Sequence, residues 1–162
     1  MSQINAEENI ARLGIDLSRP PAPVANYVPA VRTGNLVFVS GHGPVRPEGG
    51  MVPGKVGATV SVDEAYQAAR LVGIGLLASL RTEIGDLNRV RRVVKLLGMV
   101  NATPEFREHP KVINGCSDLL VDVFGPAGKH ARSAVGMGSL PDQIAVEIEM
   151  IVEIDDSPEL PD

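Results

Sequence analysis

Apolar residues return along this chain with two different periods. Val62, Ala65, Ala69, Val72, Leu76, Leu80 and Ile84 recur every three or four positions and so fall on one stripe of a helix. Ser61 and Glu64 form an S-x-x-E capping box at its start. Gly85 supplies a left-handed stop after its last turn. Gly73 and Gly75 each weaken the interior by about 1 kcal/mol and leave room for close packing of helix on sheet. A second stripe, Val112, Cys116, Leu119, Leu120 and Val123, predicts a helix over about 108–124 with Gly125 as its stop. Between the two helices, "VRRVVKLLGMVN" reads as a strand, with the cluster "RVRRVVK" as its polar face. "NYVPAVRTGNLVFVSG" reads as two strands joined at "TGN", whose Gly-Asn pair suits a tight turn. Near the end the period becomes two. Val146, Ile148, Met150, Val152 and Ile154 share one face, and Glu147, Glu149 and Glu153 share the other. This strand, about 144–154, is expected to pair as a hairpin with a strand over about 131–137.

The order strand–strand–helix–strand–helix–strand–strand predicts an α+β fold, a β-sheet with two long helices on one face. No helix is left to cover the second sheet face. That face is not purely polar, so a symmetric oligomer is expected to bury it. A length of 162 residues favours one domain. Before it lies an N-terminal extension, 1–26, with a short helix over about 4–13 and an arm, "SRPPAPVANY", whose prolines break regular structure. The body runs over 27–154, and 155–162 form an acidic tail.

Composition narrows the function. No apolar run reaches the roughly 18 residues that would span a bilayer, and the polar, acidic start lacks a secretory pattern. The single cysteine, Cys116, cannot form an internal disulfide, which points to a reducing cytoplasm. On its apolar stripe it reads as a small buried hydrophobe. His42, His109, Cys116 and His130 do not follow a zinc-ligand spacing, so no metal is expected. A net charge of −5 and only two Tyr and three Phe argue against nucleic acid, which rewards basic surfaces and aromatic stacking. The loop "GPVRPEGGMVPGKVG" contains no phosphate-binding motif, and "GHG" alone is too weak to indicate a nucleotide.

The chemistry is concentrated in "HARSAVGMGSLPDQIAVEIE", where one arginine, Arg132, stands among small residues and carboxylates follow after a Leu-Pro turn. These are either ordinary surface charges or groups that face a small anion. A planar guanidinium can hold a carboxylate through two parallel hydrogen bonds.

In "TGNLVFVSG", "GDLNRVRRVVKLLGMVN", "INGCSDLL", "ARSAV" and "LPDQIAVEIEMIVEI", taken in that order, the chain resembles the YjgF/RidA (endoribonuclease L-PSP) family, and in particular its longer, chorismate-mutase-like branch. The resemblance implies a homotrimer with sites at the subunit interfaces. It also implies hydrolysis of enamines and imines to 2-keto acids and ammonia without a cofactor. On this pattern Arg132 matches the arginine that binds the substrate carboxylate, and Glu147 the glutamate that serves the reacting water. Tyr27, Ser40, Gly41, Asn114 and Ala134 match pocket positions, and His42 falls at the rim or is structural. His42 stands where well-studied members often have glutamine, and Ala134 where they often have cysteine. A module that binds a small carboxylate without turnover, and an endoribonuclease, are the alternative functions.

Overall fold

The structure is a computed structural model that describes residues 5–155 except Val24. Residues 156–162 of the expected acidic tail, and residue 4 of the expected first helix, lie outside the described residues. In chain order the elements are α1 (Ala6–Arg12), β1 (Ala30–Thr33), β2 (Leu36–His42), α2 (Val62–Ile84), β3 (Val90–Asn101), α3 (His109–Phe124), β4 (Ala131–Met137) and β5 (Val146–Ile154). Among the described residues no helix is long and apolar enough to cross a membrane.

The capping box forms as the sequence requires. The backbone N–H of Ser61 donates to Glu64 Oε2 at 2.8 Å, and the N–H of Glu64 donates back to Ser61 Oγ at 3.2 Å. Gly85 ends α2 with φ +81°. The second helix matches its stripe, with Val112, Cys116, Leu119, Leu120 and Val123 all buried.

The five strands make one mixed sheet in the order β1-β2-β5-β3-β4. Here the expected hairpin is corrected: β4 does not pair with β5. It lies parallel to β3, with Leu96 opposite Arg132 and Gly98 opposite Ala134. A parallel pair needs a crossover, which α3 provides, so β3–α3–β4 is one unit. β5 instead inserts between β2 and β3, antiparallel to both. It is the strand with the strictest alternation, and Val146, Ile148, Met150, Val152 and Ile154 are all buried against the helices.

α2 and α3 cover one face of the sheet. The small residues that permit this differ in part from expectation. A side chain at Gly115 would collide with the backbone carbonyl of Tyr66, and one at Gly73 would meet Leu119 and Cys116, so both set helix-to-helix distance. Gly75 instead makes room for Pro21 of the arm and for the His42 ring. Gly115→Ala should therefore cost about 1–3 kcal/mol, because a backbone atom has to shift; a lowered urea midpoint with an unchanged slope would show it.

The other face is open. Val31 is 53% exposed and Phe38 42%. Beside them a cavity of about 220 Å³ is lined by Phe38, Ser40, Lys95, Leu97, Glu149 and Ile151 among others. In β3 the polar face expected of "RVRRVVK" is interrupted by register shifts at Val90/Arg92 and Val93/Lys95; Arg91 and Arg92 are exposed and Val93 is buried.

Candidate functional site

Two clusters of candidate residues form, on opposite faces of the sheet. The first sits at the β4 edge. Arg132 lies in one row with Leu96 and Met150, whose side chains are buried toward the helices. Its guanidinium therefore turns to the helix face. There Nη1 donates to Asn114 Oδ1 at 2.8 Å and to Ser117 Oγ at 3.0 Å, while Nη2 reaches the Pro110 carbonyl at 3.4 Å. Asn114 and Ser117 are three residues apart and so share a face of α3. Ala134, two residues along β4, faces the same way and packs against the core.

The second cluster is on the open face. β2 carries a bulge between Val39 and His42, where Ser40 and Gly41 together oppose a single residue of β5. Glu147 bends over Gly41 so closely that any side chain there would strike its carboxylate. Ser40 Oγ donates to the Val28 carbonyl at 2.7 Å and its N–H to the Pro29 carbonyl at 2.9 Å. These bonds tie the segment that contains Tyr27, itself 43% exposed, to the bulge.

Burial pushes the Glu147 pKa above the ordinary carboxylate value, and Glu149 on the same face adds to the rise. The carboxyl is thus held nearer to a proton-exchanging range. A raised native pKa favours the protonated form, and the benefit is lost as pH rises through that pKa. Glu147→Gln should therefore gain thermal stability over the wild type at neutral pH and lose that gain in acid, as parallel melting curves would show.

The structure does not bring Arg132 and Glu147 together within one chain. Glu147 lies in a row with Met99, on the face that Arg132 does not share. Of the two expectations for His42, rim or structural, the structure takes the second. The extra residue of the bulge turns it inward, where it is only 6% exposed. Its Nδ1 donates to the Ser40 carbonyl and its Nε2 accepts from Ser79 Oγ, both at 2.7 Å. Burial pushes its pKa down. It is a neutral core residue that braces the bulge.

Cys116 is fully buried, and burial raises its thiol pKa to about 12, which makes it a poor nucleophile. Among the described residues no three His, Cys, Asp or Glu side chains gather as a metal site. A cavity of about 620 Å³ lies between the N-terminal arm, the Val45–Gly49 loop and α2, and touches none of the candidate residues. The sequence pointed neither to Ser117, which accepts from Arg132 Nη1, nor to His130 as the neighbour of Ser117. The Asn114/Ser117 spacing of three was the available signal.

Comparison with known proteins adds the following. The family described as "YjgF/chorismate_mutase-like, putative endoribonuclease" matches residues 7–153. Protein TCP17 of Trypanosoma cruzi is 44% identical over 147 residues, covering 90% of this chain and 92% of that protein. The 2-iminobutanoate/2-iminopropanoate deaminase of Escherichia coli K12 is 31% identical over 138 residues, covering 81% of this chain and 89% of the enzyme. The crystal structure of Atu1372 from Agrobacterium tumefaciens, a protein of unknown function, superposes with a TM-score of 0.83 at 46% identity, covering 93% and 94% of the two chains.

Proposed function

Because the chain belongs to the YjgF/chorismate-mutase-like family, we propose that it hydrolyses reactive 2-imino acids, and the enamines in equilibrium with them, to 2-keto acids and ammonia. The observation that supports this most is the state of Arg132. Both hydrogens of Nη1 are taken by Asn114 and Ser117, so the guanidinium is fixed with its Nε/Nη2 edge left for a carboxylate. A group held in this way orients a 2-imino acid by the end that does not react.

Glu147 serves the other end. A protonated imine carbon is already electrophilic, so the reading requires no metal and no organic cofactor. Water adds its oxygen to that carbon and gives a proton to the Glu147 carboxylate. The carboxyl returns the proton to nitrogen, and as the C–N bond breaks the hydroxyl proton passes back to the carboxylate while the carbonyl forms; ammonia leaves and takes up that proton as ammonium. One group thus acts first as base and then as acid.

The two clusters lie on opposite faces of one sheet, so the site is completed between subunits. The β4 edge of one copy meets the open face of the next, where Val31, Phe38 and Tyr27 await burial. A head-to-tail contact whose rotation is one third of a turn closes into a ring, and the reading is such a homotrimer with three sites. The acidic net charge of −5 and the scarcity of aromatics favour a small carboxylate over nucleic acid as the partner. The buried thiol suits a reducing cytoplasm.

The test is ammonia or keto-acid release from 2-iminobutanoate, generated in situ by a pyridoxal-phosphate dehydratase. Acceleration over the spontaneous rate is expected. Binding of 2-oxobutanoate without acceleration would leave a carboxylate-binding module instead.

A further inference from the structure

The support of Arg132 does not end at Ser117. The Ser117 hydroxyl lies 3.0 Å from His130 Nε2, and His130 Nδ1 lies 2.6 Å from the Gly128 carbonyl. A carbonyl oxygen can only accept, so Nδ1 carries a proton. In the neutral ring Nε2 is then an acceptor. The single Ser117 hydrogen is directed to it, and a Ser117 lone pair is left facing Arg132 Nη1. The result is one directed chain: Arg132 donates to Ser117, Ser117 to His130, and His130 to a backbone carbonyl. Its far end is rigid, because Gly128 is packed so tightly on α3 that a side chain there would collide with the backbone of Leu120. His130 is half-buried, and burial lowers its pKa below the ordinary histidine value.

We propose that His130 is a positioning residue for Arg132: by fixing the Ser117 hydroxyl, it keeps the guanidinium turned so that its Nε/Nη2 edge receives a carboxylate side-on. This rests on the reading of Arg132 as the carboxylate anchor, and extends it to two residues outside the candidate pocket. Among the described residues Nε has no hydrogen-bond partner, and Nη2 has only the long contact to the Pro110 carbonyl. A side-on carboxylate is therefore the ligand geometry that completes the donor set. Without His130, the Ser117 hydrogen is free to swing toward Nη1, and the lone pair that steadied the guanidinium turns away.

The test uses full-length protein with His130→Leu, His130→Gln, Ser117→Ala and the Ser117→Ala/His130→Leu double variant. Three measurements are compared: calorimetric affinity for 2-oxobutanoate, KM and kcat for 2-iminobutanoate, and rotation of the Arg132 guanidinium by ¹⁵N side-chain NMR. His130→Leu should weaken 2-oxobutanoate and raise KM about five- to tenfold with kcat nearly unchanged, the pattern of lost binding rather than lost chemistry. His130→Gln, whose amide oxygen can accept from Ser117, should recover most of the loss. The double variant should be no worse than Ser117→Ala alone, since the effect travels through that hydroxyl. Guanidinium rotation should be faster in His130→Leu even without ligand. Equal losses from His130→Leu in both backgrounds, no rescue by glutamine, or unchanged guanidinium rotation would overturn the relay. Failure of the deaminase reading looks different: no variant or wild type turns over imine, while the 2-oxobutanoate and NMR effects of His130→Leu persist.

Discussion

Arg132→Ala should lower kcat/KM for 2-iminobutanoate about a hundredfold or more, the usual scale for losing a charged, two-pronged anchor that orients the reacting end. The loss falls on binding and on positioning together, so KM rises and kcat falls. Arg132→Lys should recover little. A lysine ammonium is a point charge on a flexible stem and cannot satisfy Asn114, Ser117 and a carboxylate in one plane. Neither change should unfold the protein, because β4 is an edge strand and the guanidinium reaches the surface of α3 rather than the core. A native melting profile together with lost turnover is the expected pair of results.

Glu147→Gln should lower kcat by about a hundredfold to ten-thousandfold, the range for removing a positioned acid-base group, while KM changes little. Glutamine keeps the shape over Gly41 but cannot exchange the proton. Gly41→Ala provides a second route to the same loss. Its new methyl occupies the space of the Glu147 carboxylate, so turnover falls although the carboxylate is still present. Glu153→Gln is the control. Glu153 lies farther along the same strand and accepts from Asn35 Nδ2 at 3.2 Å, so its loss should leave turnover unchanged. A steady-state comparison of the three variants separates chemistry from general charge on that face.

The sequence made some of this legible and hid the rest for physical reasons. Both long helices could be read because their signals are local: the Ser61–Glu64 box, the stripe through Cys116, and the stops at Gly85 and Gly125. The inward and outward sides of β5 were equally plain, since strict alternation needs no knowledge of neighbours. Strand pairing is different. The Leu140–Pro141 turn between 131–137 and 144–154 looks like a hairpin, but β4 is committed by α3 to lie parallel to β3, a choice made by the crossover rather than by the turn. A hairpin places Arg132 and Glu147 on paired strands, whereas the register of β4, β3 and β5 sets them on opposite faces. The choice between rim and structural position for His42 is hidden for a smaller reason. One extra residue in the bulge at Ser40–Gly41 inverts every side chain after it, and alternation counted from Val39 cannot detect it.

The most direct test of the account is complementation between the two inactive variants. Arg132→Ala and Glu147→Gln subunits, each alone, should give trimers without imine hydrolysis. Unfolded together in equal amounts and refolded as mixed trimers, they should regain activity. A site works when its β4 edge comes from a Glu147→Gln subunit and its open face from an Arg132→Ala neighbour. With random head-to-tail assembly that occurs at about one interface in four, so about a quarter of wild-type turnover per site is predicted. A mixture as inactive as its two components would contradict a site shared between subunits.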